Sequence, residues 1–328
     1  MELRTRICDL LGVEHPIGNA GMAGVAHTHL CAAVAEAGGI GTLAMTSVPT
    51  ADIPGRVAAV QAATNQPFSA NFITWIVEQD PTVLDATLDT GVASITLSFG
   101  DPTPYVDRVH RAGALLMSQV QTLEAARQAV DAGADVIIAQ GNEAGGHTGV
   151  MPLLPFLPQV VDAVGDVPVL AAGGIGDGRG LAAVLTLGAQ GALMGTRFLA
   201  SNEAESDWPE LPNQVLAASA DDTVWTKAID IAQGGGSSLW PEGIGARSIR
   251  TPWLDRWASH EDQLTESIAG DIGAANDGIG DATPAYAGPV AGMVTQREAA
   301  GKIIESVIAD AIRVLEANQR WLGSRTPS

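Results

Sequence analysis

Five times along this chain a helix-like stretch stops at a glycine and a short apolar run begins at once: Ala37-Gly38-Gly39-Ile40, Thr90-Gly91-Val92, Ala112-Gly113-Ala114, Ala132-Gly133-Ala134 and Leu187-Gly188-Ala189. A glycine in that place takes the left-handed conformation that ends a helix without a Cβ penalty. Gly91, Gly113 and Gly133 lie 22 and 20 residues apart, and the flanking intervals of 53 and 55 residues hold about two such units each. Strand-helix units of this length run their strands parallel, because the crossover helix returns the chain to the same end of the sheet. Strands at Ile17, Ile40, Phe68, Ile95, Leu115, Val136, Val169 and Leu193 make eight, the number that closes a (β/α)8 TIM barrel. A doubly wound open sheet is the alternative, but no dinucleotide fingerprint follows the first strand.

Composition narrows the function classes. With 328 residues and a formal net charge of −20, the chain repels nucleic acid and anionic lipid surfaces. Cys8 and Cys31 form neither a metal-ligand cluster nor a disulfide framework, so no metal is expected. The N-terminal Met1-Glu2-Leu3-Arg4-Thr5-Arg6 has no apolar signal core, and no apolar run reaches membrane length. A soluble cytoplasmic protein is expected.

In a barrel, chemistry sits at the carboxyl ends of the strands. Here those ends carry Asn19-Ala20-Gly21-Met22, Asn71, Ser98, Gln119, Gln140, Ala172-Gly173-Gly174 and Met194-Gly195-Thr196: amides, hydroxyls and glycines. Such groups hydrogen-bond a polar heterocycle without adding charge. After the apolar run Asp135-Val136-Ile137-Ile138-Ala139 comes Gln140-Gly141-Asn142-Glu143-Ala144-Gly145-Gly146-His147-Thr148-Gly149, a bare loop against which a flat or phosphorylated ligand can lie. His147 is expected to have little cover there and to face the ligand, where an imidazole suits proton transfer. A turn whose histidine merely caps a carbonyl is the plainer alternative. The glycines ending the seventh and eighth strands let backbone N–H groups converge on a phosphate, with the Thr196 hydroxyl beside them. Arg179 and Arg197 are conceivable ligands, more readily read as surface or structural ion pairs.

Beyond Leu199 the rhythm breaks. Ser201 to Pro284 is rich in Asp, Glu, Gly and Pro and carries Trp208, Trp225, Trp240, Trp253 and Trp257. A helix from about Arg297 to Asn318 then shows apolar residues at helical spacing. The expected organisation is a barrel from residues 1–200 and 285–328, with 201–284 as an inserted lid-like subdomain after the eighth strand, packed over the mouth. The final helix would close the eighth unit.

Three motifs, the Asn19–Met22 loop, the Gln140–Gly149 stretch, and Ala172-Gly173-Gly174 together with Met194-Gly195-Thr196-Arg197-Phe198, make the chain resemble the nitronate monooxygenase family. The likeness runs from about Thr5 to Leu199, with weaker echoes at Ala287–Gly292 and in the last helix. It implies a TIM barrel binding FMN without a covalent link. Gly173, Gly174, Gly195 and Thr196 would hold the phosphate, and Ala20, Gly21, Met22, Asn71, Gln119, Gln140, Ala144 and Gly145 would line the flavin. His147 would be the catalytic base. Gln119 stands where several flavoprotein relatives have lysine. The same motifs occur in flavin-dependent enoyl-ACP reductases and NADH:quinone reductases, so fold alone leaves the reaction open.

Three functions follow. The first is FMN-dependent oxidation of alkyl nitronates or nitroalkanes with O2. The second is NAD(P)H-dependent reduction of a quinone or enoyl thioester. The third is a barrel that binds FMN without turnover. A homodimer is compatible with each.

Overall fold

The structure, a computed structural model, describes residues 2–234, 236–264 and 284–319. Residues 265–283 of the expected insertion lie outside the described residues. Eight strands form one parallel sheet: β1 (Ile17–Asn19), β2 (Gly41–Ala44), β3 (Phe68–Ile73), β4 (Ser94–Ser98), β5 (Leu115–Val120), β6 (Val136–Gln140), β8 (Val169–Ala172) and β9 (Gly191–Met194). Their spatial order is β1-β9-β8-β6-β5-β4-β3-β2. Each strand position expected from the sequence falls in or at the edge of one of them.

The seam between β1 and β2 shows how the sheet curls into a barrel. A parallel bridge joins Gly18 to Ile40. A Cβ on Gly18 would lie 2.1 Å from the Ile40 carbonyl oxygen, so only glycine permits this approach. One residue on, the buried Asn19 side chain does the work of a ladder: its Nδ2 donates to the Thr42 carbonyl at 2.7 Å, and its Oδ1 accepts from the Thr42 N–H at 2.9 Å. Asn19, first noticed for its place in the mouth motif, thus serves to close the barrel.

The helix-ending glycines behave as expected: Gly38, Gly91, Gly113, Gly133 and Gly188 all have φ between 74° and 103°. Their helices bury apolar faces on the outside of the sheet. Inside the barrel, Met117, Val136, Ile138, Leu170 and Leu193 pack with Ile7, Cys8 and Leu11 of the helix Arg6–Leu11. The last helix, Ala300–Gln319, packs against the helices Gly178–Thr186 and Thr28–Glu36, filling the ring position of the eighth unit.

A second, antiparallel sheet was not foreseen. It comprises β7 (Gly146–Thr148), β10 (Thr223–Thr226) and β11 (Gly245–Ile249), in the order β10-β11-β7. The stretch after β6 is therefore no bare loop: it becomes an edge strand held by chain from a hundred residues later, with Ala246 opposite His147.

Candidate active site

The strand ends surround a cavity of about 410 Å3 at the carboxyl mouth of the barrel. The residues expected to hold a flavin, together with His147, all line it. Ala20, Gly21 and Met22 follow β1, Asn71 and Gln119 come from β3 and β5, and Gln140, Ala144, Gly145 and His147 come from β6 and beyond. Gly173 and Gly174 follow β8, and Gly195 and Thr196 follow β9. The roof comes from the later segment through Trp208, Leu211, Gln233, Leu239, Trp240, Tyr286 and Val290. A mostly apolar cavity of this size with a few convergent polar groups has the character of a small-molecule site.

The local chemistry of the polar groups is specific. Gln140 Nε2 donates to the His147 carbonyl at 3.1 Å while its Oε1 accepts from Gln121 Nε2 at 2.9 Å, so the amide ties β6 to β7. Asn71 Nδ2 donates to Ser98 Oγ at 3.1 Å. Thr196 Oγ1 accepts from the Gly288 N–H at 2.9 Å, which anchors the returning chain and leaves the hydroxyl hydrogen free to donate. Both Glu143 oxygens lie 3.0 Å from the Leu153 N–H. Arg247 on β11 donates to the Asn142 carbonyl at 2.8 Å; burial pulls its guanidinium below the ordinary arginine range, with nearby Glu143 opposing.

The glycines differ in purpose. Gly173 and Gly174 sit at φ 100° and 71°, a backbone turn that L side chains rarely adopt. Gly195 has an ordinary φ of −91°. A Cβ there would meet nothing closer than Met22 Sδ at 3.6 Å and Ala20 Cβ at 3.9 Å, both on the cavity wall. Its missing side chain therefore leaves usable space in the cavity. The two arginines fall elsewhere: Arg179 pairs with Asp177 at 2.6 Å, Arg197 with Glu298, and neither lines the main cavity.

His147 departs from expectation in one respect. It is not sparsely covered; its side chain is only 14% exposed. Trp240 stacks on the imidazole with ring centroids 3.5 Å apart and planes 13° from parallel, and the Tyr286 ring lies 5.5 Å away. Phe99 and Trp75 meet Trp240 edge-on at 5.1 Å and 5.7 Å. Nε2 lies 2.7 Å from Oδ1 of Asp230, whose side chain is completely buried. Cover came from the later segment, which glycine counting around His147 had no means of showing.

Asp230 and Tyr286 escaped sequence reasoning, and Trp240 was singled out only as one of five tryptophans of the expected lid, not as the cover of His147. Signals existed for Asp230 and Trp240. Asp230 is a carboxylate in the otherwise apolar run Ala228-Ile229-Asp230-Ile231-Ala232, where burial forces it to find a partner. Trp240 follows a glycine-serine run, where a large ring has little reason to sit unless it packs on something. Tyr286 carried no signal. Its phenol is buried and pushed well above the ordinary range, first by that burial and then by the charge of Asp230.

A barrel that gathers its polar groups at one mouth and backs an imidazole with a buried carboxylate is built as an α/β-barrel enzyme. Comparison with known proteins says which kind. The family model described as nitronate monooxygenase matches residues 4–310, and the chain belongs to that family of oxidoreductases. One curated relative, from Mycobacterium tuberculosis, is named (3aS,4S,5R,7aS)-5-hydroxy-7a-methyl-1-oxo-octahydro-1H-indene-4-carboxyl-CoA dehydrogenase. It is 32% identical over 96% of this chain and 98% of its own length. Among solved structures, FabK from Thermotoga maritima superposes with a TM-score of 0.87 at 31% identity, covering 97% of this chain and 99% of its own. Nitroalkane oxidase from Streptomyces ansochromogenes does so with a TM-score of 0.79 at 28% identity, over 95% and 99%. Among the described residues no cluster suited to a metal ion occurs, and no helix is long and apolar enough to cross a membrane.

Proposed function

We propose that this protein is an FMN-dependent oxidoreductase that oxidises alkyl nitronates and their parent nitroalkanes with O2. One observation carries the reading: a single imidazole, backed by a buried carboxylate, stands on the wall of a largely uncharged cavity that glycines also line. The residues present fit a flavin mononucleotide. The open space at Gly195 and the hydroxyl of Thr196, next to the turn at Gly173 and Gly174, would take the phosphate. Ala20, Gly21, Met22, Asn71, Gln119, Gln140, Ala144 and Gly145 would line the ring system. When bound, the flavin supplies the electron transfer that these side chains cannot perform.

What the chain itself contributes is proton handling. A neutral nitroalkane must lose its α-proton before oxidation, and His147 is placed to accept it. The resulting imidazolium then stabilises the nitronate by charge. Residues 201–284 would act as a lid over the barrel of 1–200 and 285–328, shielding the site from bulk water. Cys8 and Cys31 are free and buried, which suits a reducing cytoplasm.

Reduction of an enoyl thioester or a quinone by NAD(P)H is the second reading. It is favoured by the higher TM-score to FabK and by the carboxyl-CoA name of the mycobacterial relative. There His147 would protonate or orient the acceptor.

The deciding experiment records the visible spectrum of the purified protein, then adds NADH, NADPH and propyl nitronate separately without oxygen. Bleaching by nitronate alone supports the first reading, and rapid bleaching by a nicotinamide moves the protein to the second. His147→Asn should lower turnover of a neutral nitroalkane by about 10²–10⁴-fold and that of the matching nitronate far less. Equal losses with flavin retained would reassign His147 to binding.

A further inference from the structure

We propose that Asp230 is the positioning residue of this site: it holds the Nε2–H tautomer of His147, so that Nδ1 is the atom that receives the substrate proton. The inference rests on His147 acting as the base, and adds which nitrogen reacts and what selects it.

Three restraints converge on the ring. The backbone of His147 is fixed by β11, where Ala246 is its ladder partner. The ring plane is fixed by the indole of Trp240 at 3.5 Å. Rotation within that plane is fixed by Asp230 Oδ1, 2.7 Å from Nε2. A carboxylate only accepts hydrogen bonds, so Nε2 must carry a hydrogen, and in the neutral imidazole Nδ1 is then left with its lone pair.

Burial gives the pair a direction as well as a geometry. The Asp230 side chain is completely buried on the helix Ala228–Gln233, and its second oxygen, Oδ2, has no hydrogen-bond partner among the described residues. A buried carboxylate so poorly compensated is costly. While His147 is neutral the pair carries one uncompensated negative charge; once Nδ1 takes a proton, the pair is neutral.

The step balances without another reactant. The α C–H bond of the nitroalkane breaks, its electron pair delocalises onto the nitro group as the nitronate, and an N–H bond forms at Nδ1. Among the described residues, the other ionisable groups near the ring are turned to other tasks. Tyr286 is held protonated by burial and by Asp230 itself, both Glu143 oxygens are turned to the Leu153 N–H, and Arg247 donates to a backbone carbonyl.

The test uses flavin-loaded enzyme labelled with ¹⁵N-histidine, with His147→Asn to assign the resonance. The expected spectrum of neutral His147 shows a protonated Nε2 and a bare Nδ1; the opposite tautomer overturns the proposal, whatever the substrate proves to be. In a second arm, Asp230→Asn keeps the side-chain size but can present an amide donor to Nε2. Turnover of nitroethane should fall about 10²–10⁴-fold, with ethyl nitronate reduced less than about tenfold and flavin content unchanged. Equal losses on both substrates, or none on nitroethane, overturn it. Should Asp230→Asn fail to fold, the wild-type spectrum decides alone. Should wild-type enzyme turn over neither substrate, the proposed reaction fails while the tautomer measurement still judges Asp230.

Discussion

At the scale of single residues, two glycines of the cavity wall make opposite demands on a side chain. Gly195 has an ordinary φ and open space beyond its Cα, so Gly195→Leu should fold normally while its side chain stands where the phosphate is expected. The expected outcome is a native circular dichroism spectrum and melting temperature with flavin absorbance largely lost. A variant that keeps its full flavin content would move the phosphate elsewhere. Gly21 is the reverse case, because a Cβ there would lie 2.3 Å from the Asn71 side chain. Forcing that contact costs about 1–3 kcal/mol of overpacking. Gly21→Ala should therefore lower the denaturation midpoint in urea and disturb Asn71 at the cavity wall.

At the scale of elements, the helix Gly178–Thr186 starts where the seventh-strand turn ends, and Asp177 caps it. Its Oδ1 accepts from the N–H groups of Arg179 and Gly180 at 2.9 and 3.2 Å. Partial burial alone would raise this carboxyl, but hydrogen bonds from Arg179 and Gly180 outweigh it and hold it below the ordinary aspartate range. Asp177→Ala should cost about 1 kcal/mol, seen as a lower melting temperature. Because the folded value is depressed, this stabilisation is complete above the unfolded value near 4 and is lost as pH falls through the folded one. The gap between wild type and variant should accordingly narrow in acid. Trp240 makes a different kind of prediction. It roofs the cavity after a glycine-serine run and beside Leu239, which is 69% exposed, so Trp240→Ala should widen access. Longer alkyl nitronates should gain in kcat/KM relative to short ones; an unchanged preference would show that the indole does not limit substrate size.

These elements were unequally legible. Five of the eight barrel strands announced themselves because each is a buried apolar run that follows a helix-ending glycine, a local signal, and the spacing of those glycines left room for the other three. β7 could not be read this way. Three residues, Gly146, His147 and Thr148, have no alternating pattern, and what makes them a strand is β11, far along the chain. The cavity-lining residues were legible because the barrel puts its strand ends at one mouth. Asp230 was not, since its role depends on a contact 83 residues away in sequence.

At the scale of the whole molecule, a net charge of −20 makes the folded chain repel itself. Raising NaCl from about 0.01 to 0.15 M shortens the Debye length from about 30 to 8 Å and should raise the melting temperature. A fall instead would show that specific ion pairs outweigh the general repulsion. The pairing of β7 with β11 has a wider consequence. The glycine cradle is written into the first two hundred residues, whereas the carboxylate that governs the histidine and the indole that covers it arrive from a separate stretch of chain. Inheritance can therefore revise the two halves independently. Substitutions in the later stretch can redirect the chemistry, or enlarge the range of molecules admitted, while the cradle is passed on intact.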